Sequence, residues 1–342
     1  MHSGRDPVTA FGATILDASG LRLTPEERAL FAQADPYGFI LFARNIDTPD
    51  QVRALCQDMR EAVGRDAPIL IDQEGGRVQR LRGGDFLDWD DPQAFIARAG
   101  DAAEEAMFLR YALIAAEMRA LGIDTDCAPL VDVAGAGTHP FLRSRCYGTE
   151  AATVARLGRA AASGLAAGGC LPVVKHIPGH GRAQADSHHE LPRVRASVEA
   201  LQVDFAPFQV LNDLPMAMTA HIVYDAYDPE LPATLSPRMV QVIRNDIGFD
   251  NLLMTDDISM KALDAPLTET ATGALAAGCD VVLLCNATLD DRRAVAETAG
   301  RMTATAQVRA EQALARRPQR AEVDIQAMQA KLSALLERGR TA

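Results

Sequence analysis

Eight short apolar runs, each followed by a stretch of helical period, constrain this chain more than any other feature. They are ATILD (13–17), GFILF (38–42), PILID (68–72), DTDCAPL (124–130), PVVKHI (172–177), MAMTAH (216–221), NLLMTD (251–256) and DVVLLC (280–285). Strands that alternate with helices pair in parallel through right-handed crossovers, and runs that are apolar almost throughout belong to strands buried on both faces. Eight such units predict an α/β fold closed as a (β/α)8 TIM barrel, with an open doubly wound sheet as the alternative. The 342 residues suit a barrel, which commonly reaches about 250 residues or more as one unit. No Pro/Gly/Ser-rich linker or shift of composition divides the chain. Residues 1–342 are therefore read as one domain, with terminal helices packed on the outside from about 288. Among the helical segments, DAAEEAMFLRYALIAAEMRALG has Asp101 as its expected N-cap and Gly122 as its expected stop.

A barrel of this kind carries its chemistry at the C-terminal ends of the strands. Here those ends are polar. Asp72 ends the third run, Lys175 and His176 lie in the fifth, His221 ends the sixth, and Asp256 and Asp257 close the seventh. A lysine is almost never buried without a partner, so a Lys-His pair inside an apolar strand points to a polar pocket; an internally hydrogen-bonded core histidine is the other reading of His176.

Charge narrows the partners. The 34 Lys and Arg against 46 Asp and Glu give a net charge of -12, the wrong sign for a phosphate-backbone binder, and no basic stripe is interleaved with aromatics. No run is apolar for long enough to cross a bilayer, and the first residues lack the basic and apolar regions of a signal peptide, so a soluble cytoplasmic protein is expected. The six cysteines form no CxxC pair and read as small core hydrophobes in a reducing compartment. No GxGxxG follows a strand, and no cofactor is expected.

Four of the seven histidines fall in KHIPGHGRAQADSHHELP (175–192). A metal site is one reading. However, Pro178, Gly179 and Gly181 break the helix that would bring His176 and His180 onto one face, and neither HxH nor HExxH occurs, so no metal is expected. In the second reading His188 transfers protons and Asp186 holds its tautomer, with Gly179 and Gly181 allowing the loop to move. In TDDISM, adjacent aspartates at a strand end should point in opposite directions. One of them, Asp256, could then face a sugar ring as a nucleophile while Asp257 supports the loop.

Taken together, LDASGLRLTPEER, GFILFARN, IDQEGGRVQR, SRCYG, KHIPGHGRAQADSHHELP, TAHIVY, TDDISM and AAGCDVVLLCN resemble, in order, the blocks of the NagZ-type glycoside hydrolase family 3 β-N-acetylhexosaminidases of bacterial peptidoglycan recycling. The resemblance implies retaining hydrolysis of terminal β-linked N-acetylglucosamine from anhydromuropeptide fragments. It implies Asp256 as nucleophile, His188 as acid/base assisted by Asp186, and sugar contacts from Asp72, Arg80, Arg145, Lys175 and His176. Two blocks depart from the family. Ser144, Arg145, Cys146, Tyr147 and Gly148 stand where Asn-Arg-Ser-Phe-Gly is usual, and LRGGDFLDWDDPQAF, which holds the only tryptophan, is expected to reshape the leaving-group side.

Three alternatives stand beside hydrolysis. A histidine acid/base does not repel phosphate, so phosphorolysis is one. A non-catalytic sugar-binding barrel and a metal-dependent hydrolase are the others. The oligomeric state is not legible.

Overall fold

The computed structural model describes residues 10–183, 191–318 and 324–338. All eight apolar runs contribute strands: β1 Gly12–Asp17, β2 Pro36–Leu41, β3 Ile69–Ile71, β4 Thr125–Asp126, β5 Leu171–Ile177, β6 Met216–Thr219, β7 Leu252–Asp257 and β8 Val281–Leu284. They pair in parallel in that order, and Ile15 of β1 opposite Leu283 of β8 closes the circle. The (β/α)8 barrel expected from the sequence is therefore observed, and the open sheet is excluded.

The strand interiors are apolar because they face a packed core on one side and helices on the other. Inside the barrel, Ile15, Ile40, Leu70, Val173, Met216, Leu252 and Val281 form one continuous cluster. Outside it, residues such as Leu16, Phe39, Ile71, Val174, Leu253 and Val282 pack on the helices. The helices start where short polar residues precede them. Thr24, Thr48, Ser197, Thr288 and Thr303 each accept a backbone N–H of the first turn.

Two expectations about helices change. Helix Ala103–Ala120 begins after Ala102, because Asp101 lies in a preceding 3-10 turn, Gly100–Ala102; Gly122 does follow its end, at φ 88°. The terminal helices are not all external. Ala306, Ala310 and Ala313 of helix Ala304–Ala315 join the cluster inside the barrel and close its N-terminal end, whereas helix Ile325–Arg338 is largely exposed. Arg309 anchors the closing helix to Asp280 at 3.0 Å, and Arg317 beyond it reaches Asp124 at 3.0 Å. All six cysteines are buried free thiols, as their apolar setting implied. Among the described residues no helix is long and apolar enough to cross a membrane.

Candidate active site

At the C-terminal end of the strands lies a cavity of about 340 Å3. Its wall includes Asp72, Arg80, Arg145, Lys175, His176 and Asp256, so six of the eight residues singled out in the sequence meet in one place. Asp186 and His188 lie outside the described residues.

The cavity is organised around a buried ion network. Lys175 is 2% exposed, and burial of its ammonium would be prohibitive without partners. It has two, with Nζ 2.8 Å from Asp72 Oδ1 and 2.6 Å from Glu74 Oε1. Arg80 donates to the other Asp72 oxygen at 2.9 Å. Arg145 donates through Nε and Nη2 to the two oxygens of Glu74 at 2.9 and 2.8 Å, a fork that fixes the plane of the guanidinium. Burial alone would raise both acids, but the adjacent cations outweigh it. Lys175 and Arg80 hold Asp72 well below the usual carboxylate range, and Arg145 and Lys175 hold Glu74 at about 2. Burial likewise opposes the charge on Lys175, and Asp72 and Glu74 reverse it, raising its pKa.

Glu74 was not singled out in the sequence. It lies on a hairpin, Gln73–Gly75 paired with Val78–Gln79, that follows β3. Gly75 adopts φ 101°, and a Cβ there would lie 2.0 Å from Nη2 of Arg110, the group that donates to the Glu74 carbonyl at 2.6 Å. The available signal was charge balance, because a buried arginine and lysine need more than the one carboxylate assigned to them.

A carboxylate–histidine pair is also formed, though from a different aspartate. Asp132, wholly buried after β4, lies 2.8 Å from His176 Nδ1 through Oδ2 and accepts from the His180 amide at 2.6 Å through Oδ1. If Nδ1–H donates to Asp132, Nε2 of His176 is the ring's acceptor on the cavity side. His180 serves the loop through its backbone, and burial followed by the neighbouring His176 lowers its imidazole pKa to about 4. At Gly181 a Cβ would meet the Val133 carbonyl oxygen at 1.8 Å, so only glycine fits there. The glycine permits close approach and the described part of the loop is packed.

Asp256 and Asp257 end β7, and both line the cavity. The expectation that only one would face it fails because the pairing of β7 with β8 slips between Met254 and Asp257, which breaks the alternation of side chains. Their environments still separate them. Asp257 is committed to structure, since Oδ1 accepts from the amides of Ser259 and Cys285, both at 3.0 Å, and Oδ2 from the Ser259 hydroxyl at 2.7 Å. Burial raises its pKa to about 6. Asp256 accepts the Asp257 amide at 2.8 Å. Burial works to raise its pKa, and His221, His176, that amide and Lys175 together bring it below the ordinary value. Asp256 thus favours its ionised form, and Asp257 is the carboxylate committed to supporting the loop.

His221 locks this corner. Its Nε2 lies 3.0 Å from the Asp257 carbonyl oxygen, which can only accept, so Nε2 carries the proton; Nδ1 meets the Thr234 hydroxyl at 2.7 Å.

Beneath the network, Asp126 on β4 is wholly buried. Its Oδ1 accepts from the Gln73 amide at 3.0 Å, and among the described residues Oδ2 has no partner. Burial raises its pKa to about 8 from 3.8. For an acid raised on folding, the cost of ionisation is absent below about pH 4, grows as pH rises, and is complete above about 8. Asp126→Asn keeps the acceptor and cannot ionise. Its Tm should exceed that of the wild type by on the order of 5 °C at pH 9, with little difference at pH 4.5. Thermal unfolding at the two pH values checks this, and an equal offset at both would contradict it.

The departures from the family pattern lie behind the wall. Tyr147 and Tyr111 hydroxyls meet at 2.8 Å, and Cys146 is buried. Trp89 accepts the Gly76 amide through its carbonyl at 2.8 Å and buttresses the hairpin. Among the described residues none of the 81–95 loop lines the cavity itself, and the loop meets the site through the hairpin that Trp89 braces. Among those residues no group of three His, Cys, Asp or Glu is arranged to hold a metal ion.

The model of the glycosyl hydrolase family 3 N terminal domain matches residues 13–316. A β-hexosaminidase from Alkalilimnicola ehrlichii is 38% identical over 284 residues, spanning 80% of this chain and 81% of its own. NagZ from Neisseria gonorrhoeae, solved in complex with N-trifluoroacetyl-D-glucosamine, superposes with a TM-score of 0.80 at 29% identity, over 97% of this chain and all 100% of that one. A glycoside hydrolase family 3 β-N-acetylglucosaminidase from Paenibacillus superposes with a TM-score of 0.82 at 30% identity, covering 96% of this chain and 66% of that chain.

Proposed function

The chain belongs to glycosyl hydrolase family 3, and on that premise we propose that it is a retaining exo-β-N-acetylglucosaminidase. The observation that carries the proposal is the Asp256 carboxylate in the wall of a cavity that also holds Asp72, Arg80, Arg145, Lys175 and His176, fixed by their hydrogen bonds and set among apolar side chains.

In this reading one terminal sugar occupies the cavity. Asp72 accepts from its hydroxyls, and Lys175, Arg145, Arg80 and His176 orient the ring through the network that already holds them. An Asp256 oxygen attacks the anomeric carbon and forms an ester bond as the glycosidic C–O bond breaks. The departing oxygen takes a proton from His188, whose tautomer Asp186 holds. Water then yields a proton to the same histidine and attacks the anomeric carbon, releasing Asp256 and the sugar with its β configuration retained. The cavity volume and the depth of the ion network support release of one sugar at a time. The anhydromuropeptide aglycone and a cytoplasmic location rest on the family resemblance.

The test is hydrolysis of 4-nitrophenyl N-acetyl-β-glucosaminide followed by proton NMR of the first-formed sugar. The β anomer should appear first, EDTA should leave the rate unchanged, and His188→Ala should slow turnover by roughly 100-fold or more. The α anomer appearing first would exclude the double displacement, and a sugar 1-phosphate formed only with added phosphate would mark a phosphorylase.

A further inference from the structure

Arg110, on helix Ala103–Ala120, is wholly buried and yet has no acid to neutralise it. Among the described residues it forms no ion pair, and its Nε and Nη1 have no hydrogen-bond partner. Arg292, only 1% exposed, shows the contrast, since its Nη2 lies 2.6 Å from Asp17 Oδ1. Burial works against the Arg110 charge and lowers its pKa. A buried cation without a counter-ion is costly, and an apolar side chain of the same length would pack there at less cost. The use of the guanidinium must therefore lie in what its remaining nitrogen holds.

Nη2 donates to the carbonyls of Glu74 at 2.6 Å and of Asp90 at 2.7 Å. It thereby ties the hairpin that carries Glu74 to the segment entering helix Pro92–Ala99. The fit is close, because a Cβ on Gly75 would lie 2.0 Å from Nη2 and 2.6 Å from the Asp90 carbonyl oxygen. The rings of Phe95 and Trp89 flank the guanidinium, with centres 4.5 and 5.5 Å from its carbon. Aromatic faces stabilise a desolvated cation and leave its edge to donate. From the same residue, the Glu74 carboxylate forks to Arg145 at 2.9 and 2.8 Å and holds Lys175 at 2.6 Å. The backbone and side chain of Glu74 thus couple one guanidinium behind the wall to two cations within it.

We propose that Arg110 is a positioning residue: by fixing the backbone of Glu74 from behind the cavity, it sets the directions in which Arg145 and Lys175 meet the sugar. This rests on the glycosidase reading. Arg110 does not line the cavity and touches no reacting atom. Its effect on catalysis passes through the Glu74 carboxylate and disappears when that carboxylate is removed. A residue that only stabilised the barrel would act alike whatever stood at position 74.

The test is a double-mutant cycle with 4-nitrophenyl N-acetyl-β-glucosaminide, run well below the Tm of each protein. Arg110→Met keeps the length and removes the donors. It should lower kcat/KM by roughly tenfold when Glu74 is present, and by no more than about twofold when combined with Glu74→Ala. Arg110→Lys can still donate to both carbonyls and should recover most of the loss. Arg309→Met, which loosens the closing helix at the opposite end of the barrel, should lower Tm and leave kcat/KM within about twofold of wild type. If Arg110→Met or Glu74→Ala does not fold, Arg110→Gln and Glu74→Gln replace them in the same cycle. Equal losses in the two backgrounds, an unchanged kcat/KM in the Arg110 variant, or no recovery with lysine would overturn the proposal. A wild type that does not hydrolyse the glycoside would instead overturn the reading on which it rests.

Discussion

Asp256→Ala should lower kcat on an aryl N-acetyl-β-glucosaminide by at least about 10^4-fold while leaving the Kd for N-acetylglucosamine within about tenfold of wild type. No nearby acid can substitute. Asp257 accepts three hydrogen bonds from Ser259 and Cys285, and Asp72 is clamped between Lys175 and Arg80. The binding network does not depend on Asp256, since Lys175 and Arg145 are held by Asp72 and Glu74. Azide, small enough to enter the space left by the carboxylate, should restore part of the rate. It would form a carbon–nitrogen bond at the anomeric centre as the aglycone leaves, giving the α-glycosyl azide. Steady-state kinetics, calorimetry of sugar binding and NMR of the azide product check the three parts. A loss of sugar binding equal to the loss of rate would mean that Asp256 organises the cavity and does not attack.

Glu74→Ala should reduce stability and activity together. The carboxylate is fully buried and, among the described residues, is the only acid forked to Arg145. Its removal leaves one guanidinium without a counter-ion and strips Lys175 of one of two partners, a change that typically costs about 3–5 kcal/mol. In a chain of this size that corresponds to a fall in Tm on the order of 5 °C. Arg145 and Lys175 also lose the contacts that fix their directions, so kcat/KM should fall by roughly 100-fold or more. Glu74→Gln keeps the shape and one acceptor, and its effect should be smaller on both measures. Thermal unfolding and kinetics on the same preparations decide the matter, and a variant with wild-type Tm and wild-type kcat/KM would contradict the role given to this network.

The barrel was legible because strands buried on both faces leave an unmistakable mark: ATILD, GFILF and DVVLLC are apolar almost end to end, and each became a strand. The weakest strand, Thr125–Asp126, is two residues long within a run that continued to Leu130. Beyond it single backbone bonds, from Cys127 to Ile71 and from Val173 to Ala128, carry the alignment on to the Leu130–Lys175 bridge. The closing role of helix Ala304–Ala315 was not legible, because alanines in a tail give the same pattern whether they face a barrel end or a helix.

The site was legible where polarity contradicts burial. Lys175 and His176 inside an apolar strand, and carboxylates at the strand ends, pointed to a polar cavity, and the structure brings them there, with His176 also bonded internally to Asp132. What the sequence hid were the partners. Asp132 is 44 positions from His176, and Glu74 is 71 from Arg145, separations that no local pattern reports. The Asp186–Ser187–His188 spacing drew attention to a dyad outside the described residues, while the dyad within them uses His176. Asp257 was correctly read as support, although its direction was not, because one slip in the β7–β8 pairing reverses an argument built on alternation.

The most direct test of the central claim is to incubate the protein with a fluorinated N-acetyl-β-glucosaminide that carries a good leaving group, quench in acid, and map the modified peptide by mass spectrometry. A covalent attack predicts one N-acetylhexosaminyl-type adduct per chain, located on Asp256, with loss of activity in step with labelling. Turnover of the ordinary substrate with no adduct, or an adduct on Asp257 or any other residue, would contradict it.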